Sequence, residues 1–220
     1  MGKVRERIQS VLRFCGATRN PRSFFEANHP QTRTTFETMG LFFGFLLLFL
    51  VASSLLRAWV DPEPIFPSQY RDQMRLMFSG DPRFPGDVIR FALGWGAFIL
   101  FAAFMRRSFA GWLGDSERAF STYLLITCVA IIPLLSLATG LRVLANVWPY
   151  PLLESRPGWM YIRFGLSGFL LLAAWIWDGV LCVKGLQVRA TQNRGRGILT
   201  WISPYVVTTI LLSLLVRPAQ

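Results

Sequence analysis

The sequence is short of charge and of the side chains that most often do chemistry. Only 16% of the residues are charged, and there is one histidine, His29. The three cysteines, Cys15, Cys128 and Cys182, have no metal-ligand or redox spacing. Two of them fall inside apolar runs, where cysteine acts as a small hydrophobe, so no disulfide framework is expected. There is no HExxH pair, no Gly-rich phosphate loop and no His/Cys cluster. No metal site and no cofactor is expected, and with no histidine in an apolar run a pigment-binding subunit is disfavoured. Lysine is nearly missing too: of 23 basic residues only Lys3 and Lys184 are lysine. Such reliance on arginine fits a GC-rich bacterial genome.

What is abundant is apolar. Hydrophobic residues make up 53% of the 220, and aromatic residues 15%. A water-soluble domain of this size leaves too much of its surface wet to hide that fraction, so lipid is the expected solvent. The formal net charge of +11 raises nucleic acid as a partner. That reading needs basic residues gathered on one water-facing surface; here they lie between apolar runs, as membrane topology requires.

A helix crossing the hydrocarbon needs roughly 20 mostly apolar residues. Five stretches qualify, about 40–59, 88–105, 120–145, 161–183 and 197–216. The expected fold is therefore all-α: a polytopic five-span transmembrane bundle over 40–216. An interfacial segment, 1–39, precedes it, and a long acidic, proline-rich external loop, 61–87, follows the first span. Pro133 in the third stretch and Pro204 in the fifth are expected to kink or tilt their helices. The first apolar run starts too late for a cleaved signal. Counting Lys and Arg by side gives 14 with the N-terminus against 7 opposite, which predicts a cytoplasmic N-terminus and a periplasmic C-terminus. That count assigns Arg106 and Arg107 to the connection after the second span. Trp112 and Trp201 are expected near the inner interface, and Trp59, Trp148, Trp159 and Tyr161 near the outer one.

Before the first span, Val4, Ile8, Val11, Leu12 and Cys15 recur at helical spacing among basic residues. A helix of this kind lies flat on an anionic leaflet or packs against its own bundle; the sequence leaves both open. Pro21 starts a second short helix carrying Phe24 and Phe25. A further helix is expected at Gln69–Phe78 within the external loop.

Few residues stand out as candidate sites. Gly165, Ser167 and Gly168 form a GxSG, which resembles the nucleophile motif of rhomboid proteases. A serine nucleophile needs a base beside it, and His29 lies on the other side of the membrane, so no catalytic residue is assigned. The favoured reading is a small-residue surface for close helix approach, as with Gly40 and Gly44. Asp178 is the one acid inside a predicted span. It is either a structural clamp paired with Arg106, Arg107 or Lys184, or a group that handles protons or ions. Arg57, Arg90 and Arg142 are placed as interfacial anchors that contact lipid, and Arg5 and Arg13 as contacts of the N-terminal helix.

The order of features resembles the bacterial branch of the Yip1 family of five-span membrane proteins. The residues that carry the resemblance begin with Asn20-Pro21-Arg22-Ser23-Phe24-Phe25. They continue through Arg107–Gly114, Phe120-Ser121 and Ile131-Ile132-Pro133-Leu134-Leu135, then Trp175–Leu186 and Gly195-Arg196-Gly197-Ile198-Leu199. The resemblance implies the same topology as the charge count. Eukaryotic members act in vesicle trafficking and bind Rab-type GTPases, but their acidic, tyrosine-containing segment has no counterpart here, so GTPase binding is not implied. The sequence thus points to a non-enzymatic scaffold or accessory subunit in a bacterial inner membrane. Its expected partners are membrane lipids and other membrane subunits or copies of itself. The alternative is a lipid or small-solute transport component.

Overall fold

The structure, a computed structural model, describes residues 16, 18–27, 33–60, 86–117, 119–147 and 157–215. The expected helix at 1–15 with Arg5 and Arg13, the one at 69–78, His29, and the side chains of Arg57 and Arg142 lie outside what is described. Among the described residues there are seven helices and no strand. They are α1 (Pro21–Ala27), α2 (Arg33–Val60), α3 (Gly86–Trp112), α4 (Phe120–Ala130), α5 (Ile132–Val147), α6 (Pro157–Arg189) and α7 (Arg194–Leu215). The all-α expectation holds.

Three helical segments are long and apolar enough to cross a membrane: Val88–Trp112, Gly165–Arg189 and Arg194–Leu214. A fourth is formed if α4 and α5 are taken together. These two are bent by 44° across a break at Ile131. The cause is two residues on, where Pro133 has no N–H for the carbonyl of Val129 and its ring crowds that carbonyl. Ile131 closes α4 instead, its N–H donating to Thr127 and Val129 carbonyls. The first predicted span lies on α2, whose apolar stretch Met39–Ser53 falls short of that length.

The helix ends follow local chemistry. Asn20 opens α1, its side-chain carbonyl accepting the Ser23 N–H while Pro21 occupies the first helical position, where a missing N–H is harmless. Asn193 opens α7 in the same way, through the Arg196 N–H at 2.9 Å. Gly114, at φ +84°, closes α3. The N–H of Asp115 returns to the Ala110 carbonyl and that of Gly114 to Gly111, a left-handed turn that glycine makes without penalty. The helix therefore runs seven residues beyond the predicted end of the second span and takes in Arg106 and Arg107, a correction to their assignment to a loop.

The chain divides into two compact units. One comprises 1–40, 97–133 and 175–220, the other 41–96 and 134–174. In the first, Ile99, Ala102, Ala103, Arg106 and Ala110 form one buried face of α3 at helical spacing; Leu181, Cys182 and Leu186 of α6 and a nearly continuous run along α4 are buried as well. In the second, Phe42, Leu50, Val88 and Leu135 are buried, and the Ser53 hydroxyl returns to the Leu50 carbonyl at 2.9 Å.

The outward faces of both units are greasy. Leu100, Phe104, Ile176, Val180, Ile198 and Val206 are exposed in the first, as are Phe45, Leu48, Leu93 and Phe169 in the second. Leaving each such side chain in water forfeits about 1.5–3 kcal/mol of burial, whereas in lipid the same arrangement is favourable. Arg106 and Asp178 meanwhile sit inside. Apolar outside with a paired charge inside is the pattern of helices in lipid.

Candidate functional site

The intramembrane charge is a cluster within the first unit, drawn from three helices. Arg106 on α3 is 1% exposed and Asp178 on α6 fully buried; their closest atoms, Nη2 and Oδ2, stand 3.6 Å apart. Two donors from α7 reach the same carboxylate oxygen. Trp201 Nε1–H donates to Asp178 Oδ2 at 2.6 Å and the Tyr205 hydroxyl at 2.8 Å. The two lie four residues apart, so one face of α7 presents both. Their rings are packed as well as bonded: Trp175 meets Trp201 at 4.8 Å and Tyr205 edge-on at 5.6 Å, and Phe98 meets Tyr205 at 5.7 Å. Asp178 is thus walled by aromatic rings, which lower the local dielectric and strengthen its attraction for the guanidinium.

Trp201 can lie this close only because position 179 is glycine. A Cβ built on Gly179 would stand 2.8 Å from Cζ2 of the Trp201 indole. Gly179→Ala is therefore expected to push the ring off α6, weaken the hydrogen bond to Asp178, and cost about 1–3 kcal/mol as overpacking does. Tryptophan fluorescence and thermal unfolding of the purified variant check this. An unchanged emission maximum and midpoint would mean the ring has room to yield.

Two more glycines allow close approach. A Cβ at Gly185 would meet Phe25 of α1 at 2.9 Å and Ile126 of α4 at 3.0 Å, and one at Gly197 would meet Val183 at 3.3 Å. Phe25 is fully buried, so α1 is docked onto α4 and α6.

A second polar cluster links two connections of the same unit. Asp115, just past α3, accepts the Tyr123 hydroxyl at 2.9 Å and the Gln192 amide at 3.0 Å on Oδ2, and the Glu117 N–H at 3.1 Å on Oδ1. Gln192 in turn accepts the Thr200 hydroxyl at 3.1 Å. Both carboxylate oxygens are occupied, which marks Asp115 as a staple between the α3–α4 and α6–α7 connections. Beside it is a shallow polar cleft of about 80 Å³, with Gly114, Asp115, Thr191 and Arg196 on its walls. No group of three or more His, Cys, Asp or Glu able to hold a metal occurs among the described residues.

The residues singled out from the sequence are placed as follows. Asp178 is the centre of the buried cluster, with Arg106 as its ionic partner, while Lys184 and Arg107 are exposed. Arg90 is exposed near the start of α3. Gly40 and Gly44 on α2, and Gly165 and Gly168 on α6, have no atom within 4 Å of a built Cβ, and Ser167 is half-buried. Among the described glycines, the close approaches fall at Gly179, Gly185 and Gly197 instead. Trp112, 77% exposed, has the open setting of an interfacial residue, whereas Trp201 is committed to Asp178. Sequence reasoning named Arg106 among three possible partners of Asp178, but missed Trp201 and Tyr205 as members of the site. The signal for the last two was their i, i+4 spacing opposite an acid that needed donors. What singled out Arg106 from the other two was its place within α3, which the sequence had put in a connection.

The chain matches no protein-family model, no curated protein and no solved structure.

Proposed function

We propose that the chain is a five-span integral membrane protein that works as a non-enzymatic scaffold or accessory subunit through helix–helix and lipid contacts. In this reading it resides in a bacterial inner membrane with its N-terminus cytoplasmic and its C-terminus periplasmic. The resemblance of its short motifs to those of the Yip1 family supports the same reading. The fifth span is α2, whose Arg33–Val60 helix has the length if the residues around Met39–Ser53 are embedded. Moving Arg106 into α3 still leaves most basic residues on the N-terminal side, so the orientation argument stands.

The observation that carries the scaffold reading is where the small residues lie. Gly40, Gly44, Gly165 and Gly168 admit close approach, yet none is used by the chain's own helices among the described residues. The intramembrane charge, by contrast, is occupied by partners from its own helices. Openings for other helices, joined to a charge that is paired within the chain, suit assembly better than solute passage. Gly168→Leu is expected to abolish co-purification of partner subunits or self-association, while Ser167→Ala, which keeps the residue small, leaves both intact. Loss of function in Ser167→Ala with assembly preserved would reject the scaffold reading.

The topology is checked by fusing green fluorescent protein or alkaline phosphatase to Gln220. Phosphatase activity without fluorescence is expected; the reverse would remove one span or invert the chain. The second reading, a lipid or small-solute transport component, draws on the buried guanidinium, which has donors that Asp178 does not occupy. Flux through proteoliposomes that disappears in Asp178→Asn would favour it over the scaffold.

A further inference from the structure

Arg106 and Asp178 are matched in charge but not in hydrogen bonds. The guanidinium carries five N–H donors in a fixed plane. Only Nη2 faces the carboxylate, at 3.6 Å, well beyond the 2.7–2.9 Å usual for a charge-assisted bond. Nε and Nη1 are buried with no hydrogen-bond partner among the described residues. On the other side, Oδ2 of Asp178 receives Trp201 and Tyr205 as well as facing Arg106, while the buried Oδ1 has no partner among the described residues. The pair thus presents unused donors on one residue and an unused acceptor on the other, both at least nine-tenths buried.

That combination selects its ligand. Chloride only accepts, and hydrogen phosphate, although its P–OH can donate, is bulky; either would set its charge against the carboxylate of Asp178. A metal cation or ammonium group would confront Arg106. A molecule completing both residues must accept from the guanidinium and donate to the carboxylate, and must be small enough for a site walled by Trp175, Trp201 and Tyr205. Water does both, and buried waters are held by two to four such partners.

We infer that Arg106 and Asp178 form an internal water site within the α3–α6–α7 core, in which water joins the open guanidinium donors to the open Oδ1 beside the Nη2–Oδ2 contact. The site makes no demand on the scaffold reading, since a hydrated pair can hold helices together whether or not the chain assembles with others.

Pulsed X-ray radiolysis of the full chain in lipid nanodiscs tests this. The protein is mixed briefly with 18O-labelled water and irradiated with a radical scavenger in the bulk phase, and modification is mapped by mass spectrometry. Hydroxyl radicals generated from internal water attack side chains beside them. The reporters are Tyr205, bonded to Asp178, and Cys182, one turn further along the same face of α6 and fully buried. Tyr205 is expected to gain 18O by addition of the radical to its ring, and Cys182 to be oxidised through its thiyl radical, even when scavenger suppresses labelling of exposed Trp112. In Arg106→Met/Asp178→Leu, which removes the donors and the acceptor together, this label is expected to be lost. Wild-type Tyr205 and Cys182 that stay unmodified at doses oxidising Trp112 without scavenger would overturn the site, whatever the variant does. Label that persists unchanged in the double variant would overturn it equally.

Discussion

Arg106→Met alone is expected to destabilise the protein by about 3–5 kcal/mol, the range found when one partner of a buried ion pair is removed. The methionine fills similar space and keeps an apolar stem, so lost packing is a small part of the effect. What remains is a carboxylate in an aromatic-walled interior with no countercharge, held only by Trp201 and Tyr205. Adding Asp178→Leu is expected to return stability to the wild-type value or above it, because an uncharged pair no longer has to be desolvated. The measurement is unfolding of the two single variants, the double variant and wild type in mixed micelles, read as a double-mutant cycle. A double variant no more stable than Arg106→Met would assign the stabilisation to the two hydrogen bonds from α7 rather than to the charge pair.

This expectation depends on a residue that the sequence placed in a loop, and the reason is physical. Hydropathy ends a span where charge begins, so Arg106-Arg107 looks like the edge of the membrane. Helix geometry ends a span where the backbone turns left-handed, here at Gly114. Between the two signals lie Ser108 to Leu113, through which the helix continues to Trp112 in spite of Gly111. Arg106 falls three or four residues from Ala102, Ala103 and Ala110, on the face whose small side chains leave room for a guanidinium. Its neighbour Arg107 points elsewhere and is exposed. One residue of helical phase decides which arginine is buried, and hydropathy averages over that phase.

The apolar runs themselves were legible, because lipid demands nearly uniform hydrophobicity over a whole span. Asp178 was legible as an exception to that uniformity. Its donors were not, since Trp and Tyr near a span's end normally mark the interface and nothing local distinguishes a tryptophan that turns inward. The close-packing glycines were hidden for a related reason. Gly40/Gly44 and Gly165/Gly168 present the spacing that attracts notice, but whether a helix lies opposite is a tertiary fact. Gly179 and Gly185 stand in no motif, and only the rings of Trp201 and Phe25 reveal what they do. The bend at Ile131 was nearer the surface of the sequence, because Pro133 breaks a specific hydrogen bond at a specific place.

The short helix α1 was likewise readable from Asn20-Pro21, but its docking was not, and that docking yields the second large effect. Phe25 is fully buried against Gly185 and Ile126 and meets Phe24 edge-on at 5.6 Å. Removing a buried phenylalanine side chain usually costs about 3–5 kcal/mol. A seven-residue helix has little stability of its own, and the Arg22–Glu26 pair on its exposed side adds at most a few tenths of a kcal/mol. Phe25→Ala is therefore expected to release α1 while the spanning helices stay folded. Arg19 and Arg22, at the helix's start, then become the sensitive trypsin sites, and limited proteolysis in nanodiscs should cut there much faster than in wild type. Gly185→Val attacks the same contact from α6, because its Cβ must enter space that the Phe25 ring occupies, and it should give the same fragments. Phe24→Ala, at a half-buried position, is expected to change the rate much less. Cleavage at Arg19 and Arg22 that ignores both Phe25→Ala and Gly185→Val would mean that something other than this knob in its glycine hole holds α1 in place.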